Sequence, residues 1–184
     1  MTQTKKLTQS AILTALSFVL MMISKVLPAP WLQGGSVTLA SMVPIIIISV
    51  KLGTKWGLIS GFVYSLLQMM IGFYPPPTQT FLYFALVVLL DYVFAFTVLG
   101  LAGLFVKLMK NKVWAIPVSG VIVTSLRYVM HILSGLLIWG VYAPEGQTVL
   151  AYAIIYNGSY MIPEIIITCI VLALFAPKLK EKTF

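Results

Sequence analysis

Long apolar runs, interrupted by single charges and by clusters of glycine and proline, dominate this chain. Helical stretches of about 20 apolar residues match the thickness of a bilayer core. The 184 residues are 60% hydrophobic and 9% charged, with a mean hydropathy of +1.04. A typical water-soluble domain is less apolar and carries about 25% charged residues. The pattern therefore predicts an all-α membrane protein, with one transmembrane domain over residues 1–184 and no room for a separate soluble domain.

Hydropathy and the helix breakers divide the chain into six predicted transmembrane helices. The first follows Lys5 and Lys6, and it is too long for the core of a secretory signal. The second is short and carries Pro44 near its middle, which predicts an irregular backbone whose polar groups must bond to neighbouring helices. The predicted spans are 7–27, 37–50, 56–74, 81–107, 114–140 and 150–176.

The net charge of +8 is explained by membrane topology better than by nucleic-acid binding. A nucleic-acid site needs a basic face exposed to water, whereas these bases stand between apolar runs. Most of them lie before the first span or after the second, fourth and sixth spans. The positive-inside rule predicts that these connections and both termini are cytoplasmic. The bases concerned are Lys5, Lys6, Lys51, Lys55, Lys107, Lys110, Lys112, Lys178, Lys180 and Lys182.

Three ionisable residues, Asp91, Arg127 and Glu164, fall well inside predicted spans. An isolated charge at such a depth costs about 2.5–3.5 kcal/mol or more on insertion scales. Each is therefore expected to face the interior of the bundle and to have a partner. The simplest hypothesis is an ion pair of Arg127 with Asp91 or Glu164. Lys25 lies close enough to an outer boundary for its ammonium group to reach water.

Polar and aromatic side chains form a stripe on each of the last two predicted spans. The stripes cover roughly 120° and 140° of the helix circumference. Aromatic faces attract a cationic ring, while a carboxylate, an amide and an imidazole form directional hydrogen bonds, so the mixture suits a flat organic cation. For any single member, a structural role remains the alternative. The members are Arg127, Tyr128, His131, Gly135 and Trp139 on the fifth span, and Tyr152, Tyr156, Asn157, Tyr160 and Glu164 on the sixth.

Two small residues, Ala11 and Ala15, lie four positions apart on the first span, among Ser10, Thr14 and Ser17. Small residues at this spacing let another helix approach closely. From the spacing alone, the approaching helix belongs either to the same chain or to a partner protein.

The sequence contains no enzyme motif. A P-loop, the H-E-x-x-H and G-x-S-x-G motifs and a Cys/His metal cluster are all missing, so neither ATP hydrolysis nor metal binding is expected. Two other classes remain as alternatives. A proton- or ion-coupled secondary transporter would relay protons through Asp91, His131 and Glu164, and an intramembrane enzyme would use His131 as acid and base. The inner halves of the spans are apolar, which disfavours a secondary transporter. The lack of a nucleophile disfavours an enzyme.

Five segments resemble the thiamine-specific S component of energy-coupling-factor (ECF) transporters. They occur in the same order and with compatible spacing, and the similarity is most specific in the last three helices. The segments are QGGSV (33–37), LLDY (89–92), LRYVMHILSG (126–135), APEG (143–146) and AYAIIYNGSYMIP (151–163).

This resemblance implies a multi-pass protein of the bacterial cell membrane with an outward-opening thiamine site. It also implies docking, through Ala11 and Ala15, on an ECF membrane coupling subunit that works with two ATPase subunits. Those partners would use the ATP, so no cofactor is expected in this chain.

The resemblance further implies which residues contact thiamine. Asp91 and His131 would bind the aminopyrimidine, although some relatives have Glu in place of Asp91. Trp139 and Tyr152 would enclose the ligand, and Asn157 would add a hydrogen bond. Further candidates are Tyr92, Tyr128 and Gly135 in the matched segments, and the aromatic residues Trp31 and Tyr74 near the outer loops.

The predicted topology can be tested by cysteine labelling in a Cys169→Ala background. Single cysteines near Gln79 and Gly146 should react with an impermeant reagent from outside the cell, because both positions lie in predicted outer loops. A cysteine near Asn111 should react only after permeabilisation. Labelling of all three positions from one side would contradict the six-span topology.

Overall fold

The computed structural model describes residues 1–26 and 35–181, and in these ranges the chain forms helices and connections without any strand. The predicted all-helical fold is therefore confirmed. The main helices are α1 (Gln3–Ser24), α2 (Val43–Leu52), α3 (Thr54–Gly72), α4 (Phe81–Leu108), α5 (Ala115–Leu137) and α6 (Val149–Glu181), with a 3₁₀ turn, Trp139–Tyr142, between the last two.

Four of these helices, α1, α4, α5 and α6, are long and apolar enough to cross a membrane. Helix α2 has 10 residues and rises about 15 Å, half the thickness of a hydrocarbon core. The prediction of a second span over 37–50 is therefore wrong in its bounds. Hydropathy misleads here because a short helix buried among others is as apolar as one that faces lipid.

Pro44 lies in the first turn of α2, and the prediction that it interrupts the middle of a span is also wrong. The first backbone N–H groups of a helix have no partner inside it, so a proline there removes no hydrogen bond. Helix α2 is consequently regular from Val43 to Leu52.

Helix α2 forms the centre of the bundle. Its isoleucines Ile45, Ile46 and Ile48 expose no surface at all. A helix that is apolar on every side belongs in the interior of a protein, where neighbouring helices cover it. The other helices therefore pack around α2.

Ser49 and two glycines let α2 and α4 cross at short range. The Ser49 hydroxyl donates to the Gly100 carbonyl at 2.5 Å and accepts from the Gly103 N–H at 2.8 Å. A Cβ atom on Gly103 would lie 2.3 Å from the Ser49 carbonyl oxygen, and one on Gly100 would lie 2.3 Å from the backbone nitrogen of Leu58 in α3. Glycine is therefore required where α4 crosses α2 and where it crosses α3, as is usual where membrane helices touch.

Helix α4 changes its winding near the middle. Val88–Phe94 is π-helical and Val98–Leu101 is a 3₁₀ segment. Such segments occur frequently at functional sites, because they redirect the side chains that they carry. Asp91 lies within the π-helical segment, so regular helical periodicity does not determine its direction.

Replacing Gly103 by Ala should destabilise the protein by about 1–3 kcal/mol, because the added methyl group meets backbone atoms that cannot move aside. Gly120→Ala is the matched control, since its methyl group would meet Leu172 Cδ1, the end of a flexible side chain. The midpoint of heat-induced aggregation in detergent should fall clearly further for Gly103→Ala. Equal midpoints would show that the α2–α4 crossing is not tight.

Candidate ligand-binding site

A cavity of about 560 Å³ lies where α1, α3 and α5 end and α6 begins. This volume is within the range of about 300–1,000 Å³ that small-molecule sites occupy. It lies at the end of the bundle opposite the lysine-rich connections. Most of the residues predicted as ligand contacts line it: Tyr74, Asp91, Tyr92, His131, Gly135, Trp139, Tyr152 and Asn157.

The Asp91 carboxylate is the centre of a hydrogen-bond network in this cavity. His131 Nδ1 lies 3.1 Å from Oδ1. Oδ2 accepts from the Ser134 hydroxyl at 2.6 Å and from the indole N–H of Trp139 at 3.1 Å. An ionised carboxylate only accepts hydrogen bonds, so all three neighbours act as donors. The network thereby connects α4, α5 and the 3₁₀ turn.

Aromatic rings surround the cavity on the side of the 3₁₀ turn. The Trp139 ring lies 5.5 Å from Tyr74 and 6.3 Å from Tyr142, measured between centroids, and is nearly parallel to the latter. On α6, Tyr152 lies 5.5 Å from Tyr156. These separations are typical of favourable aromatic pairs. The cavity thus offers aromatic faces beside a carboxylate.

Tyr92 ties the end of α3 to α4. Its hydroxyl donates to the Gly72 carbonyl at 2.9 Å and accepts from the Tyr74 N–H at 3.0 Å. Its ring stacks on Phe73 with 5.6 Å between centroids. Tyr92 therefore positions Tyr74 beside Trp139 in addition to lining the cavity.

Asn157 and Gly135 hold α5 against α6. The Asn157 amide donates to the carbonyls of His131 at 3.2 Å and Ala153 at 2.9 Å, while its oxygen accepts from the Tyr160 hydroxyl. A Cβ on Gly135 would lie 2.7 Å from the Ala153 Cβ. Both donors of Asn157 are therefore used within the protein, which leaves its oxygen as the group that can bind a ligand.

Tyr128 was predicted as a ligand contact, but it is not among the described residues that line the cavity. Tyr128 donates its hydroxyl to the Ile154 carbonyl at 2.7 Å and contributes to the α5–α6 packing. Trp31 lies outside the described residues.

The predicted ion pair of Arg127 is wrong: the structure contains no salt bridge between Arg127 and either Asp91 or Glu164. The guanidinium carbon instead lies 4.3 Å from the centre of the Phe96 ring, and Nη1 lies 2.8 Å from the sulfur of Met42. Helical phase placed Arg127 correctly on the inner side of α5. It does not determine which group on another helix meets the side chain.

Glu164 is bonded to the segment that follows the undescribed residues. It is almost fully buried, and Oε1 accepts from the Thr38 backbone N–H at 2.5 Å. Oε2 has no hydrogen-bond partner among the described residues. Glu164 therefore anchors the chain entering α2 to α6.

Sequence reasoning missed Ser134, the third donor to Asp91. It lies three residues after His131, a spacing that places both side chains on the same side of a helix. That spacing was the available signal. It is a weak one, since serines within helices usually bond to their own backbone.

Comparisons with known proteins identify the family of the chain. A model of the thiamine transporter protein family (Thia_YuaJ) matches residues 7–183. Thiamine transporter ThiT of Bacillus subtilis (strain 168) is 38% identical over 192 residues, covering 96% of this chain and 94% of that protein. Thiamine transporter ThiT of Lacticaseibacillus paracasei is 28% identical over 155 residues, covering 75% and 73%.

A solved structure of ThiT from Listeria monocytogenes has the same fold. It superposes with a TM-score of 0.75 at 22% identity, covering 97% of this chain and 98% of that one. The relatives are named as transporters, a non-enzymatic function, and they are bacterial. Together with the apolar helices, this makes the chain a multi-pass protein of the bacterial cell membrane. The family model matches nearly the whole sequence, and the chain belongs to the thiamine transporter protein family.

Proposed function

We propose that the chain captures thiamine in this cavity from outside the cell, as the substrate-binding subunit of an ECF-type transporter. Membership of a thiamine transporter family supports thiamine as the substrate. The observation that carries the proposal is the convergence of Asp91, His131 and Trp139, from two helices and a turn, on one cavity. Isolated polar residues inside a membrane bundle rarely meet in this way without a function.

The aminopyrimidine ring of thiamine binds beside Asp91 and His131. Its exocyclic amino group donates a hydrogen bond to the carboxylate, and its ring nitrogens accept from nearby donors. A bond to an ionised acceptor is roughly twice as strong as one between neutral groups. The partial burial of Asp91 and the burial of His131 strengthen it further, because less water competes.

The cationic thiazolium ring binds among the aromatic side chains. Trp139, Tyr74 and Tyr152 all line the cavity, and the rings of Trp139 and Tyr74 lie side by side. A cation over an aromatic face gains about 0.5–2 kcal/mol, depending on how far water is excluded. A cation is therefore preferred to a neutral ring of the same shape.

Energy for uptake comes from partner subunits in this proposal, because the chain has no nucleotide-binding motif. Helix α1 supports the docking role. Ser10, Thr14 and Ser17 face the bundle, whereas Ala11 and Ala15 are exposed. Internal packing therefore does not account for the two alanines, and their small side chains leave room for a helix of the membrane coupling subunit.

A proton-coupled carrier is the less favoured alternative. Its relay would need hydrogen bonds linking Asp91, His131 and Glu164. Asp91 and His131 are in contact, but Glu164 bonds to the Thr38 backbone, and no hydrogen bond joins it to His131 within residues 1–26 and 35–181. The described groups thus form no continuous relay.

Asp91→Asn should weaken thiamine binding by about tenfold to a hundredfold. The change replaces a charge-assisted bond, worth about 1.5–3 kcal/mol, by a neutral one, and it presents an amide N–H where donors already converge. Titration of the detergent-purified protein, followed by calorimetry or fluorescence, measures the change. Tyr128→Phe is the control, because that residue does not line the cavity, and its affinity should stay within about twofold of wild type. Unchanged affinity in Asp91→Asn would remove Asp91 from the site.

Trp139→Ala should weaken binding of thiamine more than binding of an analogue with a neutral ring in place of the thiazolium. The mutation removes both the stacking face and the cation–π attraction, and the second loss affects only the cation. Parallel titrations with the two ligands measure the difference. Equal losses would indicate general damage to the cavity instead of a cation site.

Ala11→Trp or Ala15→Trp should abolish uptake and leave thiamine binding nearly intact, since a bulky ring on this face prevents close helix approach. Leu16→Trp is the matched control, because Leu16 is exposed on the same helix and is already large. Uptake by cells and binding by purified protein are measured side by side. Loss of binding in the alanine variants would assign both residues to internal packing.

A further inference from the structure

Ser134 lies behind the cavity and touches two of the groups proposed to bind thiamine. Its side chain is fully buried and is not among the residues that line the cavity. Its hydroxyl donates to Asp91 Oδ2 at 2.6 Å and accepts from the Trp139 indole N–H at 3.0 Å. Any influence of Ser134 on a ligand must therefore act through these two residues.

The direction of this hydroxyl is unusual for a serine in a helix. Such hydroxyls commonly bond to a carbonyl three or four residues earlier in the same helix. Ser119 and Thr124 on α5 do so, donating to the carbonyls of Ile116 at 2.7 Å and Gly120 at 2.8 Å. The Ser134 hydroxyl instead donates its proton to the Asp91 carboxylate on α4. The interaction thus stabilises one orientation of Asp91.

The orientation of Asp91 determines which of its two oxygens can accept a hydrogen bond from a ligand. A carboxylate offers about four lone-pair sites, two on each oxygen. Oδ2 accepts the Ser134 proton and also the Trp139 indole proton, which it shares with the Ser134 oxygen in a three-centre bond, so both of its sites are engaged. Within residues 1–26 and 35–181, Oδ1 accepts from His131 alone, which leaves one site. Of the two oxygens, only Oδ1 retains an acceptor site for a ligand donor.

We propose that Ser134 is a positioning residue for ligand selection: it holds Asp91 Oδ2 together with Trp139 and leaves Oδ1 as the single acceptor for the exocyclic amino group of the ligand. The inference rests on the proposed thiamine function and adds a residue that does not touch the ligand. Without the hydroxyl, the carboxylate keeps the bonds from His131 and Trp139 but loses the shortest of the three bonds that orient it, and the indole of Trp139 loses one of its two acceptors. The cavity then loses preference for a ligand with a donor at this edge.

Ser134→Ala should weaken binding of thiamine about tenfold, as expected for loss of one bond to a charged group. A thiamine analogue with hydrogen in place of the exocyclic amino group makes no bond to Oδ1, so its affinity should change by less than about threefold. Ser134→Cys, which keeps a weak donor of similar size, should lie between wild type and Ser134→Ala. Ser119→Ala removes an equally buried hydroxyl from the same helix and should leave both affinities unchanged.

A double-mutant cycle tests whether Ser134 acts through Asp91. In an Asp91→Asn background, the Ser134→Ala change should alter thiamine affinity by less than about threefold. All variants are full-length chains titrated in detergent with thiamine and the amino-lacking analogue. A full tenfold loss in the Asp91→Asn background, equal losses for both ligands, or an unaltered thiamine affinity in Ser134→Ala would each overturn the inference. Failure of the wild-type protein to bind thiamine would instead refute the proposed function.

Discussion

The carboxylate of Asp91 determines how the functional end of this bundle is organised. A buried charge in a membrane protein is stable only where donors compensate for the water that it has lost. Donors from His131, Ser134 and Trp139 surround it, and they come from α5 and the turn that follows. One ionised group thus fixes α4 against α5 and orients an indole. The three donors leave one acceptor position, on Oδ1. The arrangement that stabilises the carboxylate therefore also determines where a ligand can bind to it.

This arrangement depends on the packing further down the bundle. The short apolar helix α2 fills the centre of the bundle, and the hydrogen bond between Ser49 and Gly103 holds α4 close to it. Beyond that crossing, α4 departs from regular winding, and the π-helical segment Val88–Phe94 directs Asp91 toward the cavity. Tight packing at one end therefore supports an open, polar cavity at the other.

Much of the fold could be predicted from local patterns in the sequence, and the residues of the candidate site came from those patterns together with the family resemblance. Hydropathy located the helices, and helical phase correctly placed His131 and Gly135 on the inner side of α5. The prediction that Trp139 continues this helix was wrong, because Trp139 reaches the cavity from the 3₁₀ turn that follows α5. Contacts between helices were predicted less well. The predicted ion pair of Arg127 was wrong because its side chain contacts Phe96 and Met42. The second span was predicted too long because a helix buried among other helices and a helix buried in lipid have the same hydropathy. The π-helical segment has no sequence signal, so the direction of Asp91 required the structure.

A structure of the protein determined with thiamine bound would show whether Asp91 recognises the ligand. We expect the aminopyrimidine in the 560 Å³ cavity, with its exocyclic amino group within hydrogen-bond distance of Asp91 Oδ1 and the thiazolium ring against Trp139. Ser134 should still donate to Oδ2. Thiamine bound elsewhere, or bound in the cavity without any contact to Asp91, would contradict this expectation.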